Sequence, residues 1–242
     1  MSEALLRSHR DLWRRKPALR AVYGHYYREI AAVCRPGRTL EIGGGTGNLK
    51  SFMPDILSSD IQHAPWLDVV ADAQNLPFAA GSFDNIVMFD VLHHLDRPID
   101  FLRQAAGVLV QGGRIVVCEP AITPLSQLFY RHCHPEPVDL DVDLLADAGL
   151  SAGDDPWDSN QAIPTLLFGR DRARVQRRLP GLDIKPARRL AFLAYPLCGG
   201  FRPWTLLPAA LVAPLMNLER LAERVLGPVM AFRLLGVIEK TA

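Results

Sequence analysis

A chain of 242 residues is long enough for one large domain with a sizeable buried core. Its 27 Lys and Arg against 26 Asp and Glu leave a formal charge of +1, which gives no reason to expect nucleic acid as the main partner. Cys34, Cys118, Cys133 and Cys198 lie far apart with no CxxC pair, so neither a zinc site nor a redox motif is expected from them.

The opening "MSEALLRSHRDLWRRKP" has no long apolar core and no small-residue cleavage site. No signal peptide is therefore expected, and a cytoplasmic, reduced protein is the default. Residues 17–34 read as a helix stopped by Arg35-Pro36-Gly37. "RTLEIG" (38–43) reads as the first buried strand, and 46–54 as a short helix with Thr46 as its cap. Strands are expected at 55–60, 67–72 and 82–90, then a helix at 97–113 with a glycine stop, then a fifth strand at 114–120.

The alternation breaks after Pro120. Residues 121–189 hold no clear strand, many prolines and two expected helices, near 124–133 and 160–178. The basic cluster "RDRARVQRR" (170–178) reads first as the solvated face of a helix, with attraction to an anion or a membrane surface as the alternative. "LAFLAYP" (190–196) is expected as a sixth strand and "MAFRLLGVIEK" (230–240) as a seventh, with a helix at about 208–226 between them. The apolar segment 190–216 is interrupted by Gly199, Gly200, Arg202 and four prolines. It falls short of the roughly 20 apolar residues that a spanning helix needs. The pattern predicts an α/β fold with a mostly parallel sheet covered on both faces. The expected organisation is a single domain, 1–242, with 121–189 as a substrate-lid insertion.

"TLEIGGGTGNLK" (39–50) carries the chemistry. Four glycines follow an acid at a strand-to-helix turn, where bare backbone lets a ligand come close. A dinucleotide loop would need a small residue where Asn48 stands, and Lys50 is misplaced for a phosphate-binding Walker loop. Glu41 also disfavours phosphate and favours a ligand presenting a cation. The series Glu41, Gly43, Gly45, Gly47 resembles motif I of the class I S-adenosylmethionine-dependent methyltransferases. Further acids stand where strands end: Asp60 can accept from ribose hydroxyls, and Asp72 from an adenine amine. "DAQNLPFAAGSFDNIVMFDVLHHLDRP" and "FLRQAAGVLVQGGRIVVCEP" are similar to the type 11 branch of that family, over roughly residues 38–120.

The resemblance implies a Rossmann-like sheet of seven strands in the order 3-2-1-4-5-7-6, strand 7 antiparallel, and S-adenosyl-L-methionine as cofactor. Its site would comprise Glu41, Gly43, Gly44, Gly45 and Gly47, with Asp60, Ile61, Asp72 and Ala73 on the adenosine side and Phe89 and Asp90 on the methionine side. Only eleven residues separate Asp60 from Asp72. The usual crossover helix cannot fit there, so a tight loop is expected to close the adenine side, with Trp66 or His63 near it. His93 or His94, after the fourth strand, is a candidate general base.

Tyr130, His132, His134, Phe201 and Trp204 are candidates for an acceptor pocket, and no metal is assigned. His132, Cys133 and His134 lack the further ligands of a structural zinc. The expected activity is methyl transfer to a small-molecule or cell-envelope acceptor with some hydrophobic character. The alternative is a protein of the same fold that binds the cofactor without catalysis. No nucleic-acid partner is expected.

Overall fold

Along 86–88 and 115–118 alternate residues face opposite layers and all are apolar, as a sheet buried on both faces requires. The computed structural model describes residues 3–133, 136–146, 149–150 and 159–241. Its strands are β1 (Thr39–Ile42), β2 (Leu57–Asp60), β3 (Val69–Val70), β4 (Phe83–Phe89), β5 (Leu109–Pro120), β6 (Leu182–Ile184), β7 (Arg188–Leu190) and β8 (Arg233–Lys240). The sheet runs β3-β2-β1-β4-β5-β8-β6, with β7 also paired to β8. The first five strands are parallel. The last, β8, is antiparallel to β5 and to both edge pieces.

The helices are α1 (Glu3–Arg15), α2 (Pro17–Val33), α3 (Pro98–Val108), α4 (Pro124–Cys133), α5 (Ile163–Phe168), α6 (Arg172–Arg178), α7 (Ala194–Cys198) and α8 (Ala209–Met230). Ile86, Met88, Ile115 and Val117 share one core with α3 and α5. Val87, Val116 and Cys118, one residue out of step, share the other with α2, α7 and α8.

The expected order, with the C-terminal strand inserted antiparallel between the fifth and sixth, is present. The sixth strand is not at 190–196. Its place is held by β6 and β7, two short pieces on β8. Pro186 lies between them and has no N–H for the ladder, so the edge strand is split. Past Leu190 the backbone turns at Ala191, with φ 62°, and enters α7. The run "LAFLAYP" is apolar because it is buried, and a buried helical turn has the same composition as a buried strand.

Other boundaries moved for local reasons. The expected 97–113 helix ends at Val108, because Leu109 already pairs with Phe83. The expected 160–178 helix is two helices, broken around Asp171, whose buried carboxylate accepts from Arg170 and Arg174. Arg170 and Arg174 themselves stay exposed, so the basic cluster remains on the surface there. The expected 46–54 helix is a single 3-10 turn, Asn48–Ser51, preceded by Gly47 rather than capped by Thr46. The N-terminal helix α1 has no counterpart among the sequence expectations.

Candidate cofactor and acceptor site

The glycines of the loop after β1 have different tasks. Gly43, Gly45 and Gly47 hold φ of 72°, 46° and 70°, a region that side chains disfavour. A β-carbon on Gly43 would overlap Val91, one on Gly44 would overlap the Ser58 hydroxyl, and one on Gly47 would press on the Trp66 ring. On Gly45 it would meet nothing nearer than 3.8 Å. Gly45 is thus the loop glycine that opens onto space, and the others are bare so that the loop can pack.

Three groups hold this loop. The Gly45 amide donates to Asp60 Oδ2 at 2.9 Å, while Asp60 Oδ1 accepts from the Gln62 amide at 3.0 Å. Trp66 Nε1 donates to the Gly45 carbonyl at 2.8 Å. Arg10 of α1 donates to the Thr46 carbonyl at 2.9 Å and lies 4.2 Å over the Trp66 ring. The short loop after β2 therefore sends Trp66 to the glycine loop. Neither Trp66 nor the exposed His63 lines the cavity, which corrects their expected place near adenine.

The cavity has a volume of about 510 Å3 and lies at the carboxyl ends of β1, β2 and β4. Glu41, Gly43, Gly44, Gly45, Asp60, Ile61, Asp72, Ala73, Phe89, Asp90 and His94 line it, while Gly47 and His93 do not. Ile61 is half exposed at the rim, and Asp72 is exposed there, accepting from the Gln74 amide at 2.8 Å. Glu41 is 5% exposed and its carboxylate accepts from the Ser58 hydroxyl. Burial raises its pKa to about 7, against the pull of that hydrogen bond.

The two histidines differ. His93 is buried, with Nδ1 2.7 Å from Glu119 and Nε2 3.4 Å from Glu136. Burial disfavours its charge, but the two carboxylates prevail and raise its pKa to about 10. Glu119 also accepts from the amides of Val91 and Leu92, so His93 is a charged tie between β5 and the segment after β4. A protonated, enclosed imidazole cannot serve as a base, and His93 is withdrawn from that role. The nitrogens of His93 and His94 and a Glu136 oxygen lie within 4.8 Å of one another, but both ring nitrogens of His93 already face carboxylates. His94 lines the cavity, and its Nδ1 is buried with no hydrogen-bond partner among the described residues. Burial first, then the neighbouring His93 charge, lowers its pKa.

Asp90 sits at φ 57°, an uncommon conformation for a non-glycine residue. Arg233 of β8 holds it with a two-pronged ion pair to both carboxylate oxygens. The Arg233 guanidinium is buried and packs 4.7 Å over the Tyr195 ring and 5.1 Å over Phe89.

The acceptor candidates separate. Phe201 lines the cavity and stacks on His9 with 4.6 Å between rings. Tyr130 is interior, its hydroxyl donating to the Phe232 carbonyl at 3.0 Å. His132 is exposed on α4, and Trp204 is exposed beside Lys16. These three are not cavity residues, and His134 lies outside the described residues. Among the described residues, none from 121–189 lines the cavity; α1 and α2 close it instead, through Leu6, His9, Tyr23 and Tyr27. Sequence reasoning missed these four and Arg233. Tyr23 and Tyr27 had a signal in their four-residue helical spacing. Arg233 had one as a lone charge inside an apolar strand.

Residues 40–117 match the family model described as Methyltransferase domain. Two curated relatives, the ubiquinone/menaquinone biosynthesis C-methyltransferases of Azotobacter vinelandii and Rhizobium meliloti, are each 32% identical over 124 and 131 residues. Each match covers 42% of this chain, and 49% and 50% of the relatives, so the chain spans about half the length of the curated relatives it matches. A crystal structure of a methyltransferase dependent on S-adenosylmethionine, from Thermotoga maritima, is similar over 100% of both chains, with a TM-score of 0.57 at 14% identity. Another, from Archaeoglobus fulgidus, has a TM-score of 0.53 at 15% identity, over 93% of this chain and 94% of that one. At such identities these two speak for the fold.

Proposed function

We propose that the chain is a class I S-adenosylmethionine-dependent methyltransferase, as the methyltransferase-domain match over residues 40–117 supports, and that it transfers a methyl group to a small, partly hydrophobic acceptor. The observation that carries the reading is Glu41: a buried carboxylate bonded by a neutral hydroxyl, on the wall of a cavity into which Gly45 opens. A buried acid of this kind is stabilised by a ligand that brings a cation.

The proposed roles follow from placement. Glu41 balances the ligand's ammonium, and Gly45 leaves room for its backbone-facing side. Asp60 already orients its carboxylate through Gly45 and Gln62, and it keeps acceptor capacity for ribose hydroxyls. Ile61 and Ala73 flank the adenine, with Asp72 as a weaker polar contact at the rim. When bound, the cofactor supplies a methyl group activated on a sulfonium. His94, uncharged near neutral pH and facing the cavity, accepts the proton that a hydroxyl, amine or acidic carbon must give up.

Tyr23, Tyr27, Phe89 and Phe201 give the cavity an aromatic wall that keeps water out and suits a flat, apolar acceptor. The activity of the curated relatives, C-methylation in ubiquinone and menaquinone biosynthesis, supports an acceptor of that kind. The test is turnover of methyl-labelled cofactor on phenols and hydroquinones with and without an alkyl tail. Phe201→Ala should raise the acceptor KM while leaving the melting temperature nearly unchanged. Tyr130→Ala should lower stability by roughly 3–5 kcal/mol, as a core aromatic does. Turnover confined to small polar acceptors, or an unchanged KM in Phe201→Ala, would defeat the reading.

A further inference from the structure

We infer that the outer face of α8 docks on an anionic lipid bilayer, with the helix lying in the plane of the interface. The helix carries two apolar stripes. One, through Val212 and Met216, is buried against the body. The other runs through Leu218, Leu221, Val225 and Val229 at three- and four-residue steps, with Leu211 seven residues before them, and all five are exposed, Leu221 by 81% and Val225 by 77%. A water-soluble surface rarely presents a stripe of this length. Leu206, just before the helix, is exposed as well.

The charges decide what covers it. Residues 191–230 contain only two acids, Glu219 and Glu223. Glu219 is buried and accepts the amides of Phe192, Leu193 and Ala194. Glu223 faces inward and pairs with Arg188 at 3.1 Å. The exposed charges of this segment are therefore Arg202, Arg220 and Arg224, all positive. Arg220 and Arg224 stand one turn apart beside the stripe, where their stems can lie along apolar surface with the heads in a phosphate layer.

A second copy of the chain is the poorer occupant. Two such faces would bring arginines together without acids to answer them, and Pro214 and Pro228 interrupt the regular helix a coiled pair needs. Insertion across the bilayer is not proposed, since among the described residues no helix is long and apolar enough to cross one. The inference does not depend on methyl transfer. It does place the bilayer beside the segment that brings Phe201 into the cavity, a suitable arrangement for an acceptor with an apolar tail.

Flotation of the full chain with lipid vesicles tests it. The chain should rise with phosphatidylglycerol–phosphatidylcholine vesicles and stay behind with phosphatidylcholine alone, and high salt should release it. Arg220→Gln with Arg224→Gln should weaken binding by about 30-fold, at roughly fivefold per charge. Leu221→Asp should abolish it while leaving far-ultraviolet circular dichroism and S-adenosylhomocysteine affinity unchanged. No flotation with anionic vesicles, or equal flotation of the variants, would overturn the inference. So would a dimer in sedimentation velocity that Leu221→Asp dissociates, because that result gives the face to a second copy.

Discussion

Glu41 ties pH to both stability and binding. Its pKa rises from 4.5 to about 7 on folding. Between those values the folded chain holds a proton that the unfolded chain has released, so stability falls as pH rises. The cost is absent below the unfolded pKa and complete above the folded one, at about 3 kcal/mol. Glu41→Gln should remove it: the ligand-free variant should unfold at higher urea than the parent at about pH 8 and nearly match it at about pH 4.5. The same variant should lose cofactor affinity at every pH. A variant less stable than the parent at the higher pH would contradict the burial argument.

The two histidines give a second test at this scale. His94→Ala should lower kcat by about 100-fold with little change in melting temperature, as expected for loss of a general base. His93→Ala should instead destabilise by roughly 3–5 kcal/mol, because it leaves the buried Glu119 without its cation. Equal stability losses in both would return His94 to a packing role.

At the scale of elements, the glycine loop is a clamp whose parts come from three places: Asp60 at the end of β2, Trp66 in the following loop and Arg10 on α1. Gly45→Val should fold, with a left-handed-backbone penalty of about 1–2 kcal/mol, and lose the cofactor because its side chain enters the cavity. Gly44→Val should fail to fold stably, because it overlaps Ser58. Circular dichroism with a cofactor titration separates the two outcomes. Much of this element was legible in the sequence, because an acid and spaced glycines after a buried strand have few other uses. Which glycine faces the ligand was not legible, since that depends on Val91 and Trp66 arriving from other segments.

Across the whole molecule, strand alternation announced a mostly parallel sheet, while the strand order came from the resemblance over residues 38–120, because alternation alone leaves several orders open. The edge strand was misplaced because "LAFLAYP" is buried as a helix, while the true edge, β6 and β7, is short and split by a proline. The cover of the cavity was assigned to 121–189, yet among the described residues α1 and α2 supply it. Helical periodicity tells that a face is buried but not against what. Arg233 and Asp90 are 143 positions apart, and their ion pair fastens the last strand to the cavity wall. Arg233→Met should cost about 3 kcal/mol or more by stranding Asp90, which urea denaturation would read; a stability within error of the parent would contradict that account.

The most direct measurement is calorimetric titration with S-adenosylhomocysteine in buffers of differing ionisation enthalpy. Saturable one-site binding is expected, with release of nearly one proton at about pH 6 and almost none at about pH 8.5, as Glu41 loses its proton to meet the ligand's ammonium. No saturable binding, or binding with no proton release at the lower pH, would contradict it.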